Sequence, residues 1–285
     1  MSIVVTGATG QLGRLVVEGL LKSVDPGLVV AVVRDEKKAE DLAARGVRIK
    51  VADYDAPETL AGVFEAGDRV LFVSGSEAGR RVPQHTAVIE AAKAAGVAQL
   101  AYTGILGGPD ADFLLAEEHK ATEQLILDSG VPYTFLRNGW YHENYTAQLP
   151  VVLEHGAVVT SAGDGRVASA PRADYADAAV AVLTGDGHLG TAYELSGDEA
   201  YSFDEYAATV ARLSGRDVVH RRVSPEENLA ILTGAGLPEA FAGILVDVDA
   251  AIERGLLARR DGDLARLIGR PTTPIADTVA EALKA

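Results

Sequence analysis

The sequence predicts an α/β fold built on a doubly wound parallel sheet, and three observations carry that expectation. Strand-like and helix-like segments alternate in units of about 25 residues. Strand segments such as Leu28 to Val33 are unbroken apolar runs, the pattern of a strand buried on both faces. The first strand, Ser2 to Val5, runs straight into Thr6-Gly7-Ala8-Thr9-Gly10-Gln11-Leu12-Gly13 and then into an apolar helix.

A strand, a glycine turn and a helix in that order form a phosphate-binding device. Gly7 lets the chain turn sharply, Gly10 lets backbone approach a pyrophosphate, and Gly13 lets the helix pack close to the strand. The N–H groups at the helix start then face an anion, with the helix dipole adding to the attraction. Gly7, Ala8, Thr9, Gly10, Gln11, Leu12 and Gly13 are therefore the first candidate cofactor contacts.

The first helix is expected from about Gln11 to Lys22, with Leu12, Leu15, Val16, Gly19 and Leu20 on one face. Arg34 ends the second strand, 21 residues after Gly13. An NAD site places an acid here for the ribose hydroxyl, and an NADP site a cation for the 2′-phosphate. The guanidinium fork of Arg34 suits the phosphate, and Lys37 and Lys38 follow it. Asp35 offers a ribose acceptor instead. The balance favours NADP(H) over NAD(H). A helix over Glu36 to Arg45 and a strand over Val47 to Val51 come next. Asp53 lies just past that strand, where adenine would lie, and Asp55 is the better cap for a helix expected from Pro57 to Ala66.

The strand Arg69 to Val73 ends in Ser74-Gly75-Ser76, small enough for a cofactor to pass close to backbone. Helices over Pro83 to Ala95 and Leu115 to Ser129 flank the strand Gln99 to Thr103, and Tyr133 to Leu136 is a further strand. Ligands of such sheets bind beyond the carboxyl ends of the strands. Arg34, Asp53, Ser74, Thr103 and Asn138 all fall there. The next segment, Asn138-Gly139-Trp140-Tyr141-His142-Glu143-Asn144-Tyr145, is dense in aromatic and amide groups and suits the wall of a flat ring. After Pro150 the units shorten. Ala157 to Thr160, Val167 to Ala170, Tyr193 to Leu195 and Val218 to Val223 read as strands, and Ser202 with Glu205 forms a capping box for a helix to Leu213. The expected division is a dinucleotide-binding domain over 1–148, joined again by 173–196, and a smaller α+β substrate lobe over 149–172 and 197–285.

Composition sets the outer limits. The chain has 285 residues, 48% of them hydrophobic, and no cysteine, which excludes disulfide and thiolate chemistry and fits a reducing cytoplasm. A net charge of −15 repels nucleic acid and anionic membrane. No run approaches the roughly 20 apolar residues of a membrane span, and no secretory leader is expected. His119 and Glu123 alone supply too few ligands for a metal.

The glycine loop, Val33-Arg34, Ala52-Asp53-Tyr54, Ala101-Tyr102-Thr103, Leu136-Arg137-Asn138-Gly139-Trp140-Tyr141 with Glu143-Asn144, and the ending Ile268-Gly269-Arg270-Pro271-Thr272-Thr273 resemble the NmrA-like atypical short-chain dehydrogenases over essentially the whole chain. Within them the sequence is most similar to the bacterial NAD(P)H:quinone oxidoreductase type 2 group, and next to triphenylmethane reductase. The resemblance implies a Rossmann-like sheet and an NADPH-dependent, flavin-free reductase of quinones or similar flat acceptors. It implies cofactor contacts at Gly7 to Leu12, Arg34, Ser74 to Ser76, and Asn138, Gly139, Trp140, Tyr141, His142 and Glu143. Ordinary short-chain dehydrogenases carry a Tyr-x-x-x-Lys pair. Here His119 stands at the tyrosine position, Glu123 at the lysine position, and Gly104 where a serine usually follows the strand. An alcohol dehydrogenase reaction is therefore not expected. His119 and Tyr141 are the candidate proton donors, with His142 a further one. Two other readings fit the same residues: a dinucleotide-sensing regulator without turnover, and a reductase of triphenylmethane or azo dyes. The assembly expected is a monomer or homodimer.

Overall fold

The apolar runs become strands, and the strands pair in parallel. A computed structural model describes residues 1–284. The strands are β1 (Ile3–Val5), β2 (Val29–Val33), β3 (Arg48–Val51), β4 (Arg69–Phe72), β5 (Gln99–Ile105), β6 (Tyr133–Asn138), β7 (Ala157–Thr160), β8 (Arg166–Val167), β9 (Thr191–Leu195), β10 (Tyr201–Ser202) and β11 (Val219–Arg222). Seven of them form one sheet in the order β3-β2-β1-β4-β5-β6-β9. From β3 to β6 every pairing is parallel, with Val4 opposite both Val30 and Val70 and Leu100 opposite Tyr133. All five residues of β2 are buried, as its unbroken run of valine and alanine requires. The strand order reverses between β1 and β4. That switch point is where an open α/β sheet leaves a crevice beyond its carboxyl ends.

The helices are α1 (Gln11–Leu20), α2 (Glu40–Ala44), α3 (Arg81–Ala95), α4 (Leu114–Ser129), α5 (Glu143–Thr146), α6 (Leu149–His155), α7 (Arg172–Thr184), α8 (Phe203–Ser214), α9 (Pro225–Gly234), α10 (Glu239–Glu253), α11 (Asp263–Ile268) and α12 (Ile275–Ala282). Val88, Ile89 and Ala92 of α3 and Ile126 of α4 pack with Val70, Phe72, Leu100 and Tyr102 in one buried cluster. The helix expected over Pro57 to Ala66 is a single 3-10 turn, Pro57–Leu60. Ala61 is already extended, and Gly62 follows at φ +72°, so the chain leaves the helix where glycine has least to lose. The helix expected over Glu36 to Arg45 is likewise a 3-10 turn, Glu36–Ala39, followed by α2.

The chain divides into two compact units. The first comprises residues 1–108, 118–138 and 172–194, and the second 109–117, 139–171 and 195–285. The expected boundary at residue 148 therefore moves to Asn138, where β6 ends, and residues 109–117 go with the second unit. The second unit holds two small sheets, β11 parallel to β7 and β10 antiparallel to β8. The capping box at α8 is present, with Ser202 Oγ accepting from Glu205 N–H and the Glu205 carboxylate accepting from Ser202 N–H.

Candidate functional site

The glycine turn has the shape its spacing implies. Gly7 lies at φ +58°, and Gly10 N–H donates to Gly7 O at 2.9 Å. A methyl group on Gly13 would stand 2.3 Å from Gly7 O, so only glycine lets α1 start this close to β1. Gly10 caps α1 without any side-chain hydrogen bond, which leaves the first-turn N–H groups available to an anion. Thr6, just before the turn, is fully buried and its Oγ accepts from Val73 N–H at 3.0 Å. That bond ties the turn to the end of β4. These features fit the diphosphate of a dinucleotide.

The end of β2 separates the two polar neighbours that the sequence leaves competing. Asp35 turns back on its own chain, where its carboxylate accepts from Lys37 N–H and caps the following turn. Arg34 extends into solvent with its side chain 70% exposed, its Nη1 3.7 Å from Glu77 Oε1. Arg80 pairs with the same Glu77 at 3.1 Å and with Asp55 at 2.8 Å. Asp53 is half-buried, and its carboxylate accepts from Asp55 N–H in a local turn.

Ser74, Gly75 and Ser76 follow β4 without regular structure, with three side chains from β5 and α3 bonded to the backbone of Ser74 and Gly75. Ser74 N–H donates to Thr103 Oγ1 on β5 at 2.9 Å, Gly75 N–H to His85 Nε2 on α3 at 3.0 Å, and Arg81 Nε to Gly75 O at 2.7 Å. The carboxylate of Glu118 accepts from both Gly79 N–H and Arg81 N–H, fixing the entry to α3. The first unit thus gathers Gly7 to Gly13, Arg34, Asp53, Ser74 to Ser76, Thr103 and Asn138 at the carboxyl ends of six successive parallel strands. Thr6, Arg81, His85 and Glu118 belong to the same constellation and carry no sequence signal, because their partners are backbone atoms of irregular segments and of the start of α3.

The residues at the expected Tyr-x-x-x-Lys positions have other partners. His119 Nδ1 lies 2.7 Å from the Tyr102 hydroxyl. Burial, with the charges of Arg81 and His85, pushes its pKa down to about 3, so the ring is neutral at physiological pH. Glu123 is buried and receives two hydrogen bonds from Arg137. A methyl group on Gly104 would stand 3.1 Å from Glu123 Oε1 and 3.7 Å from Arg137 Cγ. The side chain that usually follows this strand is absent because an ion pair lies over its place.

Gly139 to Glu143 lie in the second unit. Gly139 N–H donates to Leu195 O. Tyr141 bridges Ala170 in the manner of a parallel strand, with Ala170 N–H bonded to Trp140 O and His142 N–H to Ala170 O. His142 is buried. Its Nε2 lies 3.0 Å from Ser169 O and its Nδ1 2.8 Å from Thr278 Oγ1. A carbonyl only accepts, so Nε2 carries the hydrogen. Among the described residues, no three His, Cys, Asp or Glu side chains converge as a metal would require, and no helix is long and apolar enough to cross a membrane.

A doubly wound parallel sheet with an uncapped glycine turn at its switch point defines a dinucleotide-binding protein. The chain belongs to the NAD(P)H-binding family, which it matches over residues 7–186. It is 45% identical to quinone oxidoreductase 2 of Escherichia coli K12 over 98% of this chain and 97% of that protein. Identity to the NAD(P)H azoreductase of Xenophilus azovorans is 33%, over 96% of each. The solved structure of the E. coli NADPH-dependent quinone oxidoreductase in complex with NADPH superposes with a TM-score of 0.96 over 99% of both chains. Triphenylmethane reductase of Citrobacter with NADP(H) superposes at 0.94, with 41% identity over 99% of this chain and 100% of that one.

Proposed function

We propose that this protein is an NADPH-dependent oxidoreductase that delivers hydride directly to a quinone or similar flat aromatic acceptor without a flavin. The observation that carries the cofactor choice is the opposed fate of two neighbours: Asp35 is engaged in its own cap and Arg34 stands out at the end of β2. An accessible carboxylate in that place would favour a ribose hydroxyl, and an exposed guanidinium, here facing the partly exposed Glu77 at 3.7 Å, favours a phosphate. The choice of acceptor is supported by the full-length likeness to quinone oxidoreductase 2.

When bound, NADPH supplies two electrons and one proton as hydride. The chain's own residues bind and orient. The N–H groups at the start of α1 receive the diphosphate, Arg34 the 2′-phosphate, and Asp53 borders the adenosine end. Ser74 to Ser76, Thr103 and Asn138 border the nicotinamide end. A quinone accepts hydride readily, and the second proton of the hydroquinone comes from water. Positioning alone can supply several kcal/mol of such a barrier. This reading uses neither His119 nor Tyr141 as an acid, in keeping with the neutral, hydrogen-bonded ring of His119.

The test is NADPH oxidation, followed by its near-ultraviolet absorbance, with a panel of quinones and dyes, no added flavin, NADH in parallel and a protein-free control. Quinone turnover with NADPH well above NADH is the expected result. Saturable quenching of Trp140 fluorescence by the dinucleotide without turnover would replace the enzyme with a dinucleotide-sensing regulator. Faster turnover of triphenylmethane or azo dyes would move the acceptor class.

A further inference from the structure

The Val73–Gly75 turn has no ladder partner, yet each of its three N–H groups has a side-chain acceptor. Thr6, one residue past β1, and Thr103 of β5 serve two of them. The third, Gly75 N–H, points to an imidazole, His85 Nε2 at 3.0 Å. A hydroxyl oxygen accepts in any rotamer, whereas an imidazole nitrogen accepts only when its hydrogen is on the other nitrogen.

That condition is imposed from α4. His85 Nδ1 is 2.8 Å from Thr122 Oγ1. The Thr122 hydroxyl donates its hydrogen to Glu118 O at 2.7 Å, so its oxygen is left as an acceptor and Nδ1 must donate. Both residues are fully buried. The ring is wedged edge-on against Phe72, centroids 4.8 Å apart, and against Tyr102 at 5.7 Å. The chain Glu118 O, Thr122, His85, Gly75 N–H therefore has one consistent direction of donation. Burial and the neighbouring Arg81 hold the His85 pKa down at about 3, so the accepting form persists across ordinary pH.

We infer that His85, in the tautomer set by Thr122, is a positioning residue of the dinucleotide site, holding the Gly75 peptide in the orientation against which the nicotinamide half of the cofactor lies. The inference rests on the reading that this turn borders the cofactor. His85 acts through backbone and touches no reacting atom. Its loss leaves the half-buried Gly75 N–H without its side-chain acceptor, and the turn relaxes away from its bound geometry.

The test combines three variants with two readouts. His85→Leu keeps the bulk and removes the acceptor. His85→Gln places an amide oxygen near the position of Nε2. Thr122→Val removes the group that sets the tautomer. For His85→Leu the Kd and KM for NADPH are expected to rise about tenfold, the scale of one lost hydrogen bond, with kcat at saturating NADPH changed less than threefold. His85→Gln should recover most of that loss. Nitrogen-15 NMR of the wild-type ring should show the hydrogen on Nδ1, and Thr122→Val should show a mixture of tautomers. A folded His85→Leu protein with unchanged Kd and KM would overturn the inference, as would a wild-type ring protonated on Nε2. Equal loss of thermal stability in the Leu and Gln variants with no shift in KM would make the residue structural only. If His85→Leu does not fold, the NMR tautomer and the KM of Thr122→Val decide the matter. A wild-type protein that neither binds nor oxidises NADPH would overturn the underlying functional reading instead.

Discussion

Arg137 and Glu123 face each other as a two-pronged ion pair, Nε to Oε1 at 2.9 Å and Nη2 to Oε2 at 2.7 Å. The remaining arm of Arg137 reaches Glu194 at 2.8 Å, and Glu194 in turn accepts from Gly107 N–H at 2.7 Å. The three side chains are 6 to 15% exposed. Glu123, expected from the sequence at the lysine position of ordinary short-chain dehydrogenases, is a buried partner of Arg137 here. Removing Glu123 leaves Arg137 with Glu194 but without its two-pronged partner, so the buried guanidinium is only partly compensated. Glu123→Leu is therefore expected to cost about 3 kcal/mol of stability, read as a shift in the urea midpoint near neutral pH. His119→Tyr combined with Glu123→Lys recreates the Tyr-x-x-x-Lys pattern but sets Lys against Arg137. It should destabilise the protein further and yield no alcohol dehydrogenase activity.

Arg34→Ala is expected to raise the Kd for NADPH roughly 10- to 100-fold, the scale of a charged bidentate hydrogen bond, and to change the Kd for NADH less than about threefold. Titration calorimetry with both dinucleotides checks this. Equal losses would remove the phosphate assignment.

Glu77 sits 3.7 Å from Arg34 and 3.1 Å from Arg80, a carboxylate placed where a phosphate would compete for the same cations. Glu77→Gln should tighten NADPH about two- to fivefold, the modest effect of a solvent-exposed pair, and leave NADH unaffected. The same calorimetry reads it, and weaker NADPH binding would count against the competition.

Gly13→Ala drives a methyl group to 2.3 Å from Gly7 O. The contact is to backbone, which cannot rotate aside, so α1 must shift. A stability loss of about 1–3 kcal/mol is expected, with NADPH and NADH binding weakened alike because the diphosphate is common to both. A variant that binds normally would show that the turn tolerates displacement.

His85 and His119 are buried with pKa values pushed down to about 3, against about 6.5 in an unfolded chain. Between these values the unfolded state takes up protons that the native state does not. Stability is therefore full above about pH 6.5 and falls as the pH drops toward 3, by about 1.4 kcal/mol per ring and pH unit. Urea midpoints at about pH 7 and pH 5 measure the slope, and His119→Gln should show a shallower one. A pH-independent midpoint over that window would mean that neither ring is held neutral.

Much of the site was legible because its determinants are local. The glycine turn, the apolar run of β2, the cation at its end and the capping box at Ser202 each depend on a few consecutive residues, whose backbone preferences act before any tertiary contact forms. The helix expected after Pro57 failed within the same window, since Gly62 outweighed the residues before it. What the tertiary structure decided is which distant side chains meet. Arg137 is 14 residues from Glu123 and 57 from Glu194, and His85 faces a threonine 37 residues away. Such pairings follow from the order in which parallel strands are laid beside one another and from the helix faces they bury. That order is a property of the whole packed sheet, so Glu123 reads as an oddly placed acid in the sequence and becomes a buried partner of Arg137 only in the fold.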